Sequence, residues 1–121
     1  MNRWRRKSVK MINDNLNGLL GLCRRANKIA IGHDAVITSI KQRKAFLAIT
    51  CMDASDRLKK EIADECSFNN RNTKYVEAQF TMSELGLAIS KKAGVISIDD
   101  EGFANKLHSI ITGGYEHGEK I

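Results

Sequence analysis

The chain has 121 residues, 42% hydrophobic and 28% charged with 6% aromatic, which suits one packed domain and excludes a disordered, collagen-like or coiled-coil chain. No run approaches the ~18 apolar residues of a membrane span, so a membrane protein is excluded as well. The formal charge of +6 is held unevenly. Residues 1–10 carry Arg3, Arg5, Arg6, Lys7 and Lys10 without an acid, and residues 24–44 carry Arg24, Arg25, Lys28, Lys41, Arg43 and Lys44 against Asp34 alone. Residues 45–121 hold 9 basic and 12 acidic side chains, so the positive charge sits in a tail and one early segment. That asymmetry points to a polyanionic partner at one face.

The chain divides into a basic tail (1–13), a folded domain (14–112) and a polar C-terminal tail (113–121). Leu16, Leu19, Leu20 and Cys23 recur at helical spacing, and Asn27, which tolerates a left-handed backbone, closes that helix. Ile29–Ile31 reads as a short strand broken by Gly32, and a helix over His33–Arg43 buries Val36, Ile37 and Ile40. Phe46–Cys51 is a continuous apolar run, as in a strand covered on both faces. Asp53 or Ser55 caps the next helix, whose stripe is Leu58, Ile62 and Cys66, and Asn69–Asn72 is a polar turn. Tyr75–Phe80 alternates as a strand, and Thr81-Met82-Ser83-Glu84 forms a capping box. The helix it opens buries Leu85, Ala88 and Ile89 and stops at Gly94. A last strand, Val95–Ile98, precedes a helix from Glu101 to about Thr112, ended by Gly113 and Gly114. Alternating helices and strands predict an α/β fold, a three-layer α/β/α sandwich around a largely parallel sheet of four strands.

Catalytic machinery is sparse. Phosphate-cradling glycine loops and nucleophile elbows are missing from the sequence. Asp53 and Asp56 near a strand end suit either a magnesium ion or helix capping, and capping is the commoner use. Asp99, Asp100 and Glu101 fit a helix start in the same way. Cys23, Cys51 and Cys66 lie in apolar patterns without a C-x-x-C pair, so they read as buried reduced thiols of a cytoplasmic protein. No cofactor is called for.

An anion site is better supported. A helix starting just after Gly32 offers free backbone amides, glycine permits close approach, and Arg24, Arg25 and Lys28 precede it. Lys91-Lys92-Ala93-Gly94-Val95 combines cations, a glycine and an apolar side chain at another helix–strand junction. On one sheet edge, the two loops would clamp a folded RNA backbone. The dipoles of helix C-termini give these cations a simpler use.

The segment from Leu19 to Gly32, LLGLCRRANKIAIG, resembles the opening block of the ribosomal L7Ae family, in its bacterial branch. Lys44-Ala45-Phe46-Leu47, Asp53-Ala54-Ser55, Glu84-Leu85-Gly86, Lys91 to Ile96 and Gly102-Phe103-Ala104 with Lys106-Leu107 continue the likeness. The similarity spans roughly residues 14–112. It implies an α/β/α sandwich that binds structured RNA, typically kink-turns, without catalysis. Where kink-turn binders of the family carry Gly-Thr-Asn-Glu, this chain carries Gly32-His33-Asp34-Ala35, and Thr38 replaces a family lysine. Asn27 stands where glycine is usual. Asp34 thereby lacks an amide donor and Ala35 lacks the acceptor that would read a guanine edge.

The expected RNA contacts are Arg24, Arg25 and Lys28 on phosphates, with the amides of Gly32 and His33 close to the backbone. His33 also stacks on a base, with Asp34 beside it, while Lys91, Lys92, Gly94 and Val95 cover a bent nucleotide. The tail adds phosphate contacts, with Trp4 as a stacking partner. The expected function is non-catalytic binding of kink-turn-like or ribosomal RNA, with the ribosome or translation factors as further partners. Two rival readings are a protein–protein adaptor of the translation machinery with a degenerate RNA face, and a small magnesium-dependent enzyme built on Asp53 and Asp56.

Overall fold

The computed structural model describes residues 14–68 and 73–113; the expected basic tail with Trp4, the turn at Asn69–Asn72 and the end beyond Gly113 lie outside the described residues. The elements are α1 (Asp14–Arg25), β1 (Ile29–Ile31), α2 (His33–Lys41), β2 (Leu47–Thr50), α3 (Asp56–Phe68), β3 (Lys74–Glu77), α4 (Met82–Ile89), β4 (Val95–Ile98) and α5 (Glu101–Thr112).

Strand alternation sorts the core into two halves. Leu47 and Ile49 of β2 and Ile96 and Ile98 of β4 point to one face, where Leu16, Leu20, Leu85, Ile89, Ala104 and Leu107 from α1, α4 and α5 cover them. Ala48 and Val95 point to the other face, under Val36, Ile40, Ile62 and Cys66 of α2 and α3. The result is the expected α/β/α sandwich with four strands. Burying fully enclosed side chains such as Leu47, Ile49 and Ile96 contributes about 1.5–3 kcal/mol each before chain entropy is counted.

Strand direction differs from expectation. The order is β1-β4-β2-β3, and only β2 with β3 is a parallel pair; β4 runs antiparallel to both β1 and β2. The cause lies at the end of α4. The helix stops at Ile89 because Ser90 adopts a left-handed conformation with φ 60°, well before Gly94, where the sequence suggested an end. An eight-residue helix rises only about 12 Å, and residues 90–94 then double back along it. A Cβ added at Gly86 would lie 3.5 Å from the Lys92 Cα, which shows how closely the returning chain passes. The chain therefore re-enters the sheet at the edge it had just left. Helix and strand periodicity carries no information about that reversal.

Local capping is as the sequence implies, with one exchange of roles. Ser55 Oγ accepts from the Leu58 amide at the start of α3, whereas Asp53 Oδ1 accepts from the Met82 amide of α4, 2.9 Å away. Thr81 and Glu84 form both halves of the capping box. Asp100 caps α5 through the Phe103 amide, and Gly113 closes that helix. Substituting Thr81→Ala removes one acceptor from the start of α4 and is expected to destabilise the domain by about 1 kcal/mol. The check is a thermal melt beside Ser83→Ala, whose exposed side chain makes it a near-neutral control; equal midpoints would contradict the capping role.

Candidate nucleic-acid interface

The antiparallel pairing of β1 with β4 brings two of the anticipated loops together. Gly32 lies one residue beyond β1, and its N–H donates to the Val95 carbonyl at 2.9 Å. Cys51, just past β2, donates to the Gly94 carbonyl, so the C-terminal ends of β1 and β2 and the start of β4 form one sheet edge. Gly32 is the N-cap of α2, with φ 96° and ψ 164°, and no side chain caps that helix. Its amides are therefore left to solvent or a ligand. A Cβ at Gly32 would meet nothing within 4 Å. The backbone conformation, rather than crowding, demands glycine there, and the space above it is open. Lys91 and Lys92 are exposed on the adjoining loop, without an ion-pair partner among the described residues.

His33, the first residue of α2, is held on both ring nitrogens. Nδ1 lies 2.8 Å from Asp34 Oδ1 and Nε2 lies 2.9 Å from Glu61 Oε2. Two carboxylate acceptors favour the doubly protonated ring, and the Glu61 and then the Asp34 hydrogen bond raise its pKa above the ordinary 6.5. The imidazole thus stands at the mouth of the helix with both edges already engaged and its protonated form favoured. Glu61 escaped sequence reasoning because it comes from α3, 28 residues away; only the packing of α3 beside α2 reveals it.

Three expectations change. Val95 is 1% exposed and packs into the core under α2 and α3, so its side chain cannot cover a nucleotide; only its carbonyl reaches the edge. A Cβ at Gly94 would meet Leu58 Cδ2 and Met82 Sδ at 3.3 Å, so that glycine answers to internal packing. Arg24, Arg25 and Lys28 do not flank Gly32. Lys28 precedes β1, where its carbonyl accepts from the Asp99 amide at 2.8 Å beyond the far end of β4. Four residues of extended chain put Lys28 and Gly32 about 13 Å apart, on opposite sheet edges. The exposed side chains of Arg24 and Arg25 close α1 at that same far edge.

Asp53 Oδ1 accepts from the Met82 amide, the capping use of that carboxylate; among the described residues, no three His, Cys, Asp or Glu side chains cluster to hold a metal. Burial pushes the Cys23 and Cys51 thiols up to about 12 and the Cys66 thiol to about 11, leaving all three as protonated core side chains.

Comparison with known proteins decides the family. The sequence model of the ribosomal protein L7Ae/L30e/S12e/Gadd45 family matches residues 14–108. The chain belongs to that family. It is 39% identical over 94 residues to the RNA-binding protein YlxQ of Bacillus subtilis (strain 168), covering 77% of this chain and 91% of the relative. It is 33% identical over 99 residues to the RNA-binding protein YlxQ of Enterococcus faecium, covering 78% and 89%. Among solved structures, a Bacillus halodurans protein of unknown function superposes with TM-score 0.69 at 32% identity, covering 78% of this chain and 94% of that one. The Giardia lamblia 15.5kD RNA binding protein superposes with TM-score 0.62 over 84% and 85%; at 22% identity it supports the fold alone.

The His33 cluster has a defined pH signature. A pKa raised by folding means that its contribution to stability is complete below the unfolded value near 6.5 and is lost as pH rises through the folded value. The effect is small, since the His33 and Glu61 side chains are 45% and 47% exposed. An NMR titration is expected to place the His33 midpoint above 6.5, and Glu61→Gln is expected to lower it. A midpoint unmoved by Glu61→Gln would show that the bond does not persist in solution.

Proposed function

We propose that this protein is a non-catalytic binder of structured RNA that seats a bent backbone against the N-terminus of α2 and the Lys91–Gly94 loop. The observation that carries this reading is the Gly32–Val95 hydrogen bond, because it ties the uncapped start of α2 to the strand that the exposed Lys91 and Lys92 lead into. Free amides and lysine ammonium groups are the donors that phosphate oxygens accept from. Family membership, and the RNA-binding relatives in Bacillus subtilis and Enterococcus faecium, support the same substrate class. The natural RNA is ribosomal or similarly folded, the compartment is the cytoplasm, and the basic tail adds phosphate contacts.

Recognition is of backbone shape more than of base identity. The Asp34 carboxylate is fully exposed and accepts only, and Ala35 carries no polar group. The donor and acceptor expected for a guanine-edge reading of a kink-turn are therefore missing. Asp34 also puts negative charge at the phosphate seat. That charge is what favours the second reading, an adaptor that docks a protein of the translation machinery on this edge. Capture of a partner that survives nuclease treatment would support the adaptor, whereas loss of all partners with nuclease supports RNA.

Two double variants test the site in opposite directions. Lys91→Gln with Lys92→Gln is expected to weaken binding of a kink-turn RNA several-fold and to reduce its salt slope by about 2, measured by filter binding across salt concentrations. Asp34→Asn with Ala35→Glu restores one donor and one acceptor, and is expected to tighten kink-turn binding about tenfold or more over a straight-duplex control. Unchanged binding in both variants would remove the proposed site.

A further inference from the structure

The cations that fail to flank Gly32 form a group of their own at the opposite sheet edge. Lys28 stands before β1, Arg43 and Lys44 stand before β2, and Lys74 begins β3. Arg24 and Arg25 close α1, and Lys41 closes α2. Backbone hydrogen bonds lock these turns to the sheet: Lys28 O accepts from Asp99 N, Phe46 N donates to Ile98 O, and Lys74 N donates to Phe46 O. The strand order β1-β4-β2-β3 spreads the row over three strand spacings, about 14 Å, enough to follow several phosphates of one strand.

Local chemistry accounts for only part of this charge. The C-termini of α1 and α2 present about half a negative charge each, whereas Arg24, Arg25, Lys28, Lys41, Arg43 and Lys44 are all exposed. Asp99, Asp100 and Glu101 share the edge, as do Asp64 and Glu65 near the C-terminus of α3, and at least three of the five have partners within the fold, Asp64 with Lys60 among them. Asp99 Oδ1 accepts from the hydroxyls of Ser39 and Ser97 at 2.8 and 3.1 Å, and Asp100 caps α5. Glu101 is left exposed in the first turn of α5, where the helix dipole favours it. None of the six cations forms an ion pair among the described residues. Arg43 follows α2 with φ 63°, a left-handed position where glycine is the relaxed choice, so replacing it by glycine would relieve the backbone while removing one charge from the row. Beside the row, Phe46, Lys74, Glu101, Asn105 and His108 line a groove of about 480 Å3, which offers the partly buried Phe46 ring and polar groups to an unpaired base.

We propose that this far edge is a second RNA-binding surface, which grips the phosphate backbone of another segment while the Gly32 edge seats the bend. It deepens the RNA-binding reading given above, but it stands on different residues and fails separately.

The test is binding of a short RNA duplex, with and without an unpaired tail, beside the kink-turn RNA, over a range of salt. Three proteins are compared with the parent: Arg24→Gln/Arg25→Gln/Lys28→Gln, Arg43→Gly, and Lys91→Gln/Lys92→Gln. The triple variant is expected to lower the salt slope for the duplex by about 3 and to weaken it at least tenfold, with an unchanged melting midpoint. Arg43→Gly is expected to melt higher while binding the duplex more weakly, a combination that a purely structural arginine would not give. The Lys91/Lys92 variant should leave the duplex nearly unaffected. Duplex binding that survives the triple and Arg43 substitutions overturns the second surface, even if the Gly32 edge proves correct. Loss confined to those two variants, with kink-turn selectivity absent, would instead sink the Gly32 reading and keep this one. A parent protein that binds no RNA sinks both.

Discussion

Strand β4 is hydrogen-bonded on both sides and runs against both of its neighbours. Its direction decides which loops meet. Because β4 begins where β1 and β2 end, the Lys91–Gly94 loop lies beside the N-terminus of α2. Because β4 ends where β1 and β2 begin, Asp99 lies among the cations of the opposite edge. A parallel β4 would have moved its preceding loop to the far edge and left Gly32 without a basic neighbour. The left-handed Ser90 and the short α4 thus control the placement of charge as much as the placement of strands.

The two edges differ in what they can offer an anion. The Gly32 edge supplies directed donors: the amides of an uncapped helix start, behind a glycine held at φ 96°. Directed amides reward one backbone geometry, and Asp34 penalises surplus negative charge there. The Lys28–Lys74 edge supplies point charges on long, flexible stems. Such charges attract any polyanion, and their effect falls steeply with salt. The hydroxyls of Ser39 and Ser97 hold Asp99 Oδ1 in place, so that carboxylate is oriented by the fold rather than by an ion pair with the cations.

Element type was largely legible in the sequence, because periodicity, capping and turn chemistry agree locally. The β2 and β4 runs, the Thr81–Glu84 box and the Asp100 start of α5 are found where the residues imply them. Strand direction was not legible, since a strand covered on both faces has the same apolar pattern whichever way it runs. The site suffered from the same blindness. Residues 24–28 look adjacent to Gly32 along the chain, but an intervening extended strand carries them to the other edge. Val95 reads as a loop side chain until alternation across β4 turns it into the core. Glu61 carries no local signal of its bond to His33.

Selectivity follows from this division. On the proposed reading, an edge without base-reading groups at positions 34 and 35 discriminates through shape, and shape discrimination needs contact points held at fixed separation. The sheet supplies that rigidity. β1 spans the distance between Lys28 and Gly32, and its backbone is tied to β4 at both ends, through Asp99 N–H to Lys28 O and Gly32 N–H to Val95 O. Neither end moves without breaking the ladder between β1 and β4. A straight duplex can satisfy one edge at a time, whereas an RNA that bends around the domain reaches both and gains the second set of contacts at high effective concentration. On the proposed reading, the preference for bent RNA comes from the length of one strand rather than from recognition of any base.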